Sequence, residues 1–265
     1  MTETIWFVFF WTFLIGLMTL EWLLDSSSTN VSREKRWPPN IATGLLNGAI
    51  ASVLPVGLIW FSSWAADNDF GLLNLFQASL WIAVPATILV LGLGQYLFHR
   101  LMHQVPQLWA IHKVHHCDRH LDASTGLRFH PLEMLLNLAF MAPVVVLAGL
   151  DTETLAASEI LAIFVGVFSH TSVELPRWMD RPLRLLFITP ALHALHHSDM
   201  STEYNSNFGA VYSFWDRIFG TYLAKRVRER EWFRVGVDGV DADEATDLRR
   251  LLSMPWIREN SDRSE

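Results

Sequence analysis

The strongest constraint on folding in this chain is a series of apolar runs too long and too poor in charge for an ordinary soluble core. Residues 5–24 form a run of about 20 residues broken only by Glu21. A second run covers 41–64 with Pro55 inside it as a tolerated kink, and a third covers 72–98 with Pro85 inside it. Two shorter runs, 134–150 and 155–169, flank the acidic turn Asp151-Thr-Glu-Thr, and Glu159 is their only charge. A helix needs about 20 residues to cross a bilayer, and a backbone in lipid must satisfy its own hydrogen bonds, which favours helices. The first three runs reach that length. The last two, shorter, read as a hairpin that either crosses a thin bilayer or dips in and returns. Only 18% of residues are charged, against about 25% in soluble domains. The expected fold class is therefore all-α: a polytopic membrane protein with four or five hydrophobic helices and a cytosolic histidine-rich helical cap.

All 20 Lys and Arg fall within the expected loop 33–36 or from Arg100 onward. A non-cytoplasmic N-terminus places every one of them on the cytoplasmic side, as the positive-inside rule requires. The opening MTET lacks a basic n-region and no cleavage site follows, so the first run is expected to stay as an anchor. The expected organisation is a three-span region at 1–98, a catalytic region at 99–224 containing the hairpin 134–169, and a polar tail at 225–265 that forms a solvated face covering the domain or resting on headgroups, with its last thirty residues loosely held. The net charge of −7 and the scattered basic residues give no nucleic-acid footprint.

Eight of the 11 histidines fall in three clusters: His99 and His103; His112, His115 and His116; His193, His196 and His197. Residues at i, i+3 and i+4 share a helix face, so each group is expected to aim its imidazoles at one spot. Clustered imidazoles repel if protonated, and a metal removes the conflict. His130, in LRFHPLE, and His170, in FSHTSVELP, stand alone beside apolar runs; the alternative for each is to cap a helix or pair with Glu133 or Glu174, but ionisable groups there are costly enough to suggest function. Adding them gives ten candidate ligands, too many for one ion and suited to two. His120 is left as a surface histidine of the loop CDRHLD. Cys117 is the only cysteine, which excludes an intrachain disulfide and thiolate-rich sites. Three chemistries remain open from the residues alone. A zinc hydrolase would want a carboxylate base, yet neither HExxH nor GxSxG occurs. A non-catalytic metal-binding or transport protein would want polar residues in mid-span, where few stand besides Asn47 and Gln77. A paired redox metal acting on dioxygen and a lipid accounts best for the size of the ligand set.

HRLMH, then HKVHH followed by LRFHPLE, then FSH…LPRWMDRP…TPALHALHHS, then NSNFG…FWDRIFGTY, together resemble the fatty acid hydroxylase / sterol desaturase superfamily over about residues 90–224. The resemblance implies an integral-membrane, O2-dependent di-iron enzyme, with zinc as an alternative occupant. It would hydroxylate a sterol-like or fatty acyl lipid, with desaturation as the other outcome. The implied ligand set is His99, His103, His112, His115, His116, His130, His170, His193, His196 and His197. Asn207-Phe208-Gly209 matches an NYG-type element, with Phe where Tyr is frequent. Trp215, Asp216, Phe219, Gly220 and Thr221 match WDxxFGT. Cys117 and Thr171 stand where serine and asparagine are common. Asp216 either orients a ligand histidine as an acceptor or pairs with Arg217 and caps a turn. Electrons are expected from a separate donor, a ferredoxin or a cytochrome b5-like protein with its reductase. Arg177, Arg181 and Arg184 are read as positive-inside anchors, with donor or headgroup docking as the alternative.

Overall fold

The structure, a computed structural model, describes residues 2–24, 31–225 and 233–257. Among the described residues thirteen α-helices run in chain order: α1 (Thr2–Leu24), α2 (Arg33–Val53), α3 (Leu58–Asp67), α4 (Leu72–Leu75), α5 (Leu80–Gln104), α6 (Pro106–His116), α7 (Pro131–Ala148), α8 (Thr152–Ser169), α9 (Arg177–Leu183), α10 (Pro190–His196), α11 (Ser201–Tyr204), α12 (Phe214–Ile218) and α13 (Leu248–Ser253). Among the described residues there is no strand beyond two isolated bridges, Phe187 to Tyr212 and Ser198 to Val235. Four segments are long and apolar enough to span a membrane: 33–75, α5, α7 and α8. Their outward faces are themselves apolar. On α5, Leu80, Trp81, Ile82, Leu89 and Leu97 are all exposed, as a lipid-facing surface requires. This is an all-α integral membrane protein.

The bundle has two distinct ends. At one, the turn after α7 meets α3 and the start of α5. Ser62 donates to the Leu150 carbonyl at 2.6 Å, and the Asp151 N–H donates to Thr87 at 3.0 Å. Gly149 closes α7 in the left-handed region (φ 66°), and its backbone lies so close to Gly71 that a Cβ on Gly71 would sit 2.5 Å from the Gly149 nitrogen. From this end α5 rises towards His99, α7 descends from His130, and α8 climbs back to His170. Between them Leu91, Met141, Val145, Leu150 and Leu155 form a buried core. Nearer the other end Phe98, Met102 and Ile111 pack with Leu132, Leu136 and Phe140, seating the histidine helices on α7.

That other end is tied together by buried charge. Arg36 donates to Asp118 at 3.0 Å, to the His120 carbonyl at 2.8 Å, and to Asp122. Arg128 donates to Asn40 at 2.8 Å and to the carbonyls of Val114 and Ala245, both at 2.7 Å. Two cations thus face two carboxylates in a dry setting. Burial raises the Asp118 carboxyl, but Arg36 and Arg128 outweigh it and hold it at about 2. Glu21, which interrupts the first apolar run, accepts from the Ala123 N–H at 3.0 Å and from the Ser172 N–H. It docks α1 against the same loop.

Several sequence expectations need correction. Residues 41–64 are not one kinked helix. Proline lacks an N–H and disfavours helical geometry in the residue before it; Leu54 is accordingly extended, α2 ends at Val53 and α3 restarts at Leu58. Arg33 to Arg36 do not form a loop but the first turn of α2. The hairpin helices are 18 residues each rather than 17 and 15, because their polar first turns are helical too. At about 1.5 Å per residue each is about 27 Å long, close to a bilayer core. The tail is not loosely held where it is described. Val240, Ala245, Leu251 and Met254 pack beneath α6 on Val114 and Cys117. Arg226 and Trp232, which the sequence placed in that tail, lie outside the described residues.

Candidate metal centre

Nine of the ten candidate histidines come together in two adjoining groups. His99, His103, His112, His116 and His196 form one; His115, His170, His193 and His197 form the other. Within each group the candidate ligand nitrogens all lie within 4.8 Å of one another. The HxxHH triplets do not each serve a single spot, as their spacing suggested. At about 100° per residue, i+3 and i+4 point to different sides of the facing direction. So α6 gives His112 and His116 to the five-histidine group and His115 to the other, while the α10 segment gives His193 and His197 to the four-histidine group and His196 across. His116 and His197 stack at 4.4 Å between ring centroids, 18° from parallel. The two groups share walls.

Five rings are fixed from behind through Nδ1. His99 donates to the Phe208 carbonyl at 2.8 Å, His115 to the Arg128 carbonyl at 3.1 Å, His170 to the Gly166 carbonyl at 2.6 Å and His196 to the Ser206 carbonyl at 2.8 Å. His112 donates to Glu133 Oε1 at 2.8 Å. A carbonyl or carboxylate cannot donate, so these contacts put the proton on Nδ1 and leave Nε2 a bare lone pair. Those bare nitrogens then face one another: His99 to His112 and His99 to His196, both at 3.0 Å, and His115 to His170 at 3.0 Å. Two opposed lone pairs cannot bond to each other. A cation between them resolves this, and the spacing fits one. Nitrogens at right angles around an ion, each about 2.1 Å from it, lie about 3.0 Å apart. Both ring nitrogens of His103 are buried without a hydrogen-bond partner, as suits a side chain whose partner is a metal ion.

Burial, joined by neighbouring imidazoles, holds His115, His116, His193 and His197 well below the usual histidine range. Burial likewise brings His170 down to about 4 and His196 to about 3. Neutral imidazole is the ligating form, so the pocket is preset to take cations rather than protons.

His130 is the candidate that does not join. Its Nδ1 accepts from the Leu132 N–H at 3.1 Å and its Nε2 donates to the Leu252 carbonyl at 3.1 Å, so it caps α7 with both nitrogens engaged. His120 stays outside both groups, half-buried in its loop. Asp216 bonds to the loop beside His99. It accepts from the Phe208 N–H at 2.7 Å, the Gly209 N–H at 2.9 Å and Thr221 at 2.7 Å. It thereby holds the loop whose Phe208 carbonyl fixes His99. Asn207 takes a positive φ of 53° and bonds to Leu192 and Leu223, tying that loop to α10. Gly209 has no room for a side chain, since a Cβ would lie 2.3 Å from the Tyr212 carbonyl oxygen. Sequence reasoning offered Glu133 as a partner of His130, not of His112, and missed the Arg128 carbonyl behind His115. It also missed the stacked pair Trp109 and Tyr204, 5.4 Å apart and set against His103. Glu133 lay in the quoted LRFHPLE stretch; the backbone acceptors carry no residue-type signal.

What fold and site define together is a membrane helical bundle ending in a buried, all-imidazole pocket suited to metal. A family model described as fatty acid hydroxylase matches residues 84–221, and the chain belongs to that family. It is 33% identical over 174 residues to an ornithine lipid hydroxylase of Rhizobium tropici, covering 66% of this chain and 49% of that protein. It is 29% identical over 224 residues to the human alkylglycerol monooxygenase, covering 80% of this chain and 47% of that one. A very-long-chain aldehyde decarbonylase of rice is 29% identical over 201 residues, or 72% of this chain and 30% of that protein. The chain thus spans about half or less of the length of these relatives. No solved structure matches it.

Proposed function

We propose that this protein is a membrane-bound di-iron oxygenase that hydroxylates a lipid, using O2 and electrons from a separate donor. The observation that carries this reading is the pair of adjoining imidazole pockets with bare nitrogens facing inward. His99, His103, His112, His116 and His196 would hold one ion, and His115, His170, His193 and His197 the other. A pair of redox-active irons bound there supplies the reduction of dioxygen that breaking an unactivated C–H bond requires. The chain's own residues do the rest. The carbonyls of Phe208, Arg128, Gly166 and Ser206 and the Glu133 carboxylate keep the protons on Nδ1 and the rings aimed. Phe208, packed on His99, His103 and His196, and Phe129, stacked on His115 at 4.2 Å, keep water from the pocket. The apolar faces of the spans let a lipid arrive laterally without crossing water. The named relatives include enzymes that act on ornithine lipid and alkylglycerol, which supports a membrane lipid as substrate. With the basic residues at the histidine end, the active-site face is read as cytoplasmic.

Metal analysis of the purified chain should find about two irons per chain, and O2 uptake should accompany lipid turnover. Comparing lipids of a deletion strain and its complement should show products heavier by one oxygen atom; a loss of two hydrogens instead would mean desaturation. Redox-inert zinc with no O2 consumption would overturn the reading in favour of hydrolysis.

A further inference from the structure

Of the five histidines fixed through Nδ1, four lean on neutral carbonyls. His112 is the one that, among the described residues, leans on a carboxylate. We propose that Glu133 is a positioning residue that makes the two metal positions unequal, its charge rendering the five-histidine pocket the tighter one. This rests on the reading that both pockets hold metal.

Three observations carry it. Glu133 Oε1 accepts from His112 Nδ1 at 2.8 Å, with the two side chains only 10% and 2% exposed. Its other oxygen, Oε2, is buried without any hydrogen-bond partner. A buried anion left half-satisfied is costly, and here a cation on the far side of the His112 ring is the compensation at hand. The stretch before Glu133 is built to place it. His130 caps α7 through Nδ1 and is tied to the Leu252 carbonyl through Nε2, Pro131 occupies the first helical position, and Leu132 packs against the cluster of Phe98, Met102 and Ile111. Glu133 then stands in the first turn, where the helix dipole favours negative charge. LRFHPLE thus delivers a carboxylate to a ligand instead of delivering a ligand.

The consequence follows from how the ring transmits charge. A carboxylate drawing on Nδ1–H makes Nε2 a better donor and lends the site negative charge; losing such a partner typically costs about 10- to 100-fold in metal affinity. Among the described residues, the Arg128 and Gly166 carbonyls back His115 and His170 in the four-histidine pocket; Asp118 and Asp122 act on His170 only through space, and both are engaged by Arg36. Its ion should leave first.

The test uses the full chain in detergent, loaded with ferrous iron alone and challenged with a chelator. The wild type should release iron in a fast and a slow phase of equal size. Glu133→Gln keeps an acceptor oxygen without the charge; it should speed the slow phase about 10- to 100-fold and leave the fast phase alone. Glu133→Ala should speed it further. In a His170→Ala background only the slow phase should remain, and Glu133→Gln should still accelerate it, which assigns that phase to the five-histidine pocket. A slow phase unmoved by Glu133→Gln overturns the proposal. So does a change shared equally by both phases, as a general loosening of the fold would give, or one confined to the fast phase. A wild type that takes up no iron fails at the loading step, and overturns the metal-centre reading itself.

Discussion

Replacing Arg36 by Met probes the buried charge network that holds the histidine end together. Arg36 is 1% exposed, and Asp118 and Asp122 are nearly as buried. The substitution preserves much of the volume but removes the bonds to Asp118, Asp122 and the His120 carbonyl. Removing one partner of a buried pair costs about 3–5 kcal/mol, because the surviving charge stays buried. The lower end applies here. Asp118 keeps Asn40 and Thr125, each at 2.8 Å, and Asp122 keeps Trp37 at 3.1 Å and the Ser124 N–H at 3.0 Å. About 3 kcal/mol is a large part of the 5–15 kcal/mol that holds a typical domain folded. The loop so loosened runs from Asp118 to Arg128, whose carbonyl fixes His115, so iron retention should fall as well. The assay is unfolding by a denaturing detergent in mixed micelles, followed by tryptophan fluorescence. Adding Asp118→Asn to the Arg36→Met chain should recover part of the loss, since one uncompensated charge is then gone. A loss below about 1 kcal/mol, the worth of an exposed pair, would refute the reasoning.

Three further outcomes are expected. His196→Ala and His170→Ala should each lower iron from about two per chain to about one and abolish lipid oxidation, with protein still reaching the membrane; loss of both ions from either variant would show that the pockets do not fill separately. His130→Ala should keep both irons while costing on the order of 1 kcal/mol for the lost cap, and loss of an ion would restore it as a ligand. The metal-free protein should lose stability as pH falls below about 6.5. Buried His170 and His196 titrate at about 4 and about 3 in the fold but near 6.5 when unfolded, so the unfolded chain binds the protons first. Their contribution is complete above 6.5 and shrinks steadily from there towards pH 4. Unfolding curves at pH 8 and pH 5 that superimpose would count against it.

The apolar runs and the histidine spacing were legible because each follows from local periodicity. A run of about 20 apolar residues has few stable fates other than a spanning helix, and HxxHH on a helix gathers imidazoles on one flank whatever surrounds it. That reasoning also found nine of the residues that meet in the two pockets. Periodicity could not tell which imidazole joins which group, since i+3 and i+4 diverge and only the packing of α6 against α5, α8 and α10 decides where each points. Nor could it reject His130. A lone histidine before proline looks the same whether it ligates or caps, and the difference is made by Leu252, 122 residues away. Pro55 was visible yet misjudged, because a break rather than a kink depends on whether neighbours re-satisfy the freed backbone. By itself the sequence determined the helical membrane bundle and the clustering of its histidines, both being matters of composition and helical repeat. Tertiary structure alone decided the division into two pockets, the tautomer of the five rings held through Nδ1 and the place of Glu133 behind His112, because those depend on backbone carbonyls and distant side chains brought together only by folding.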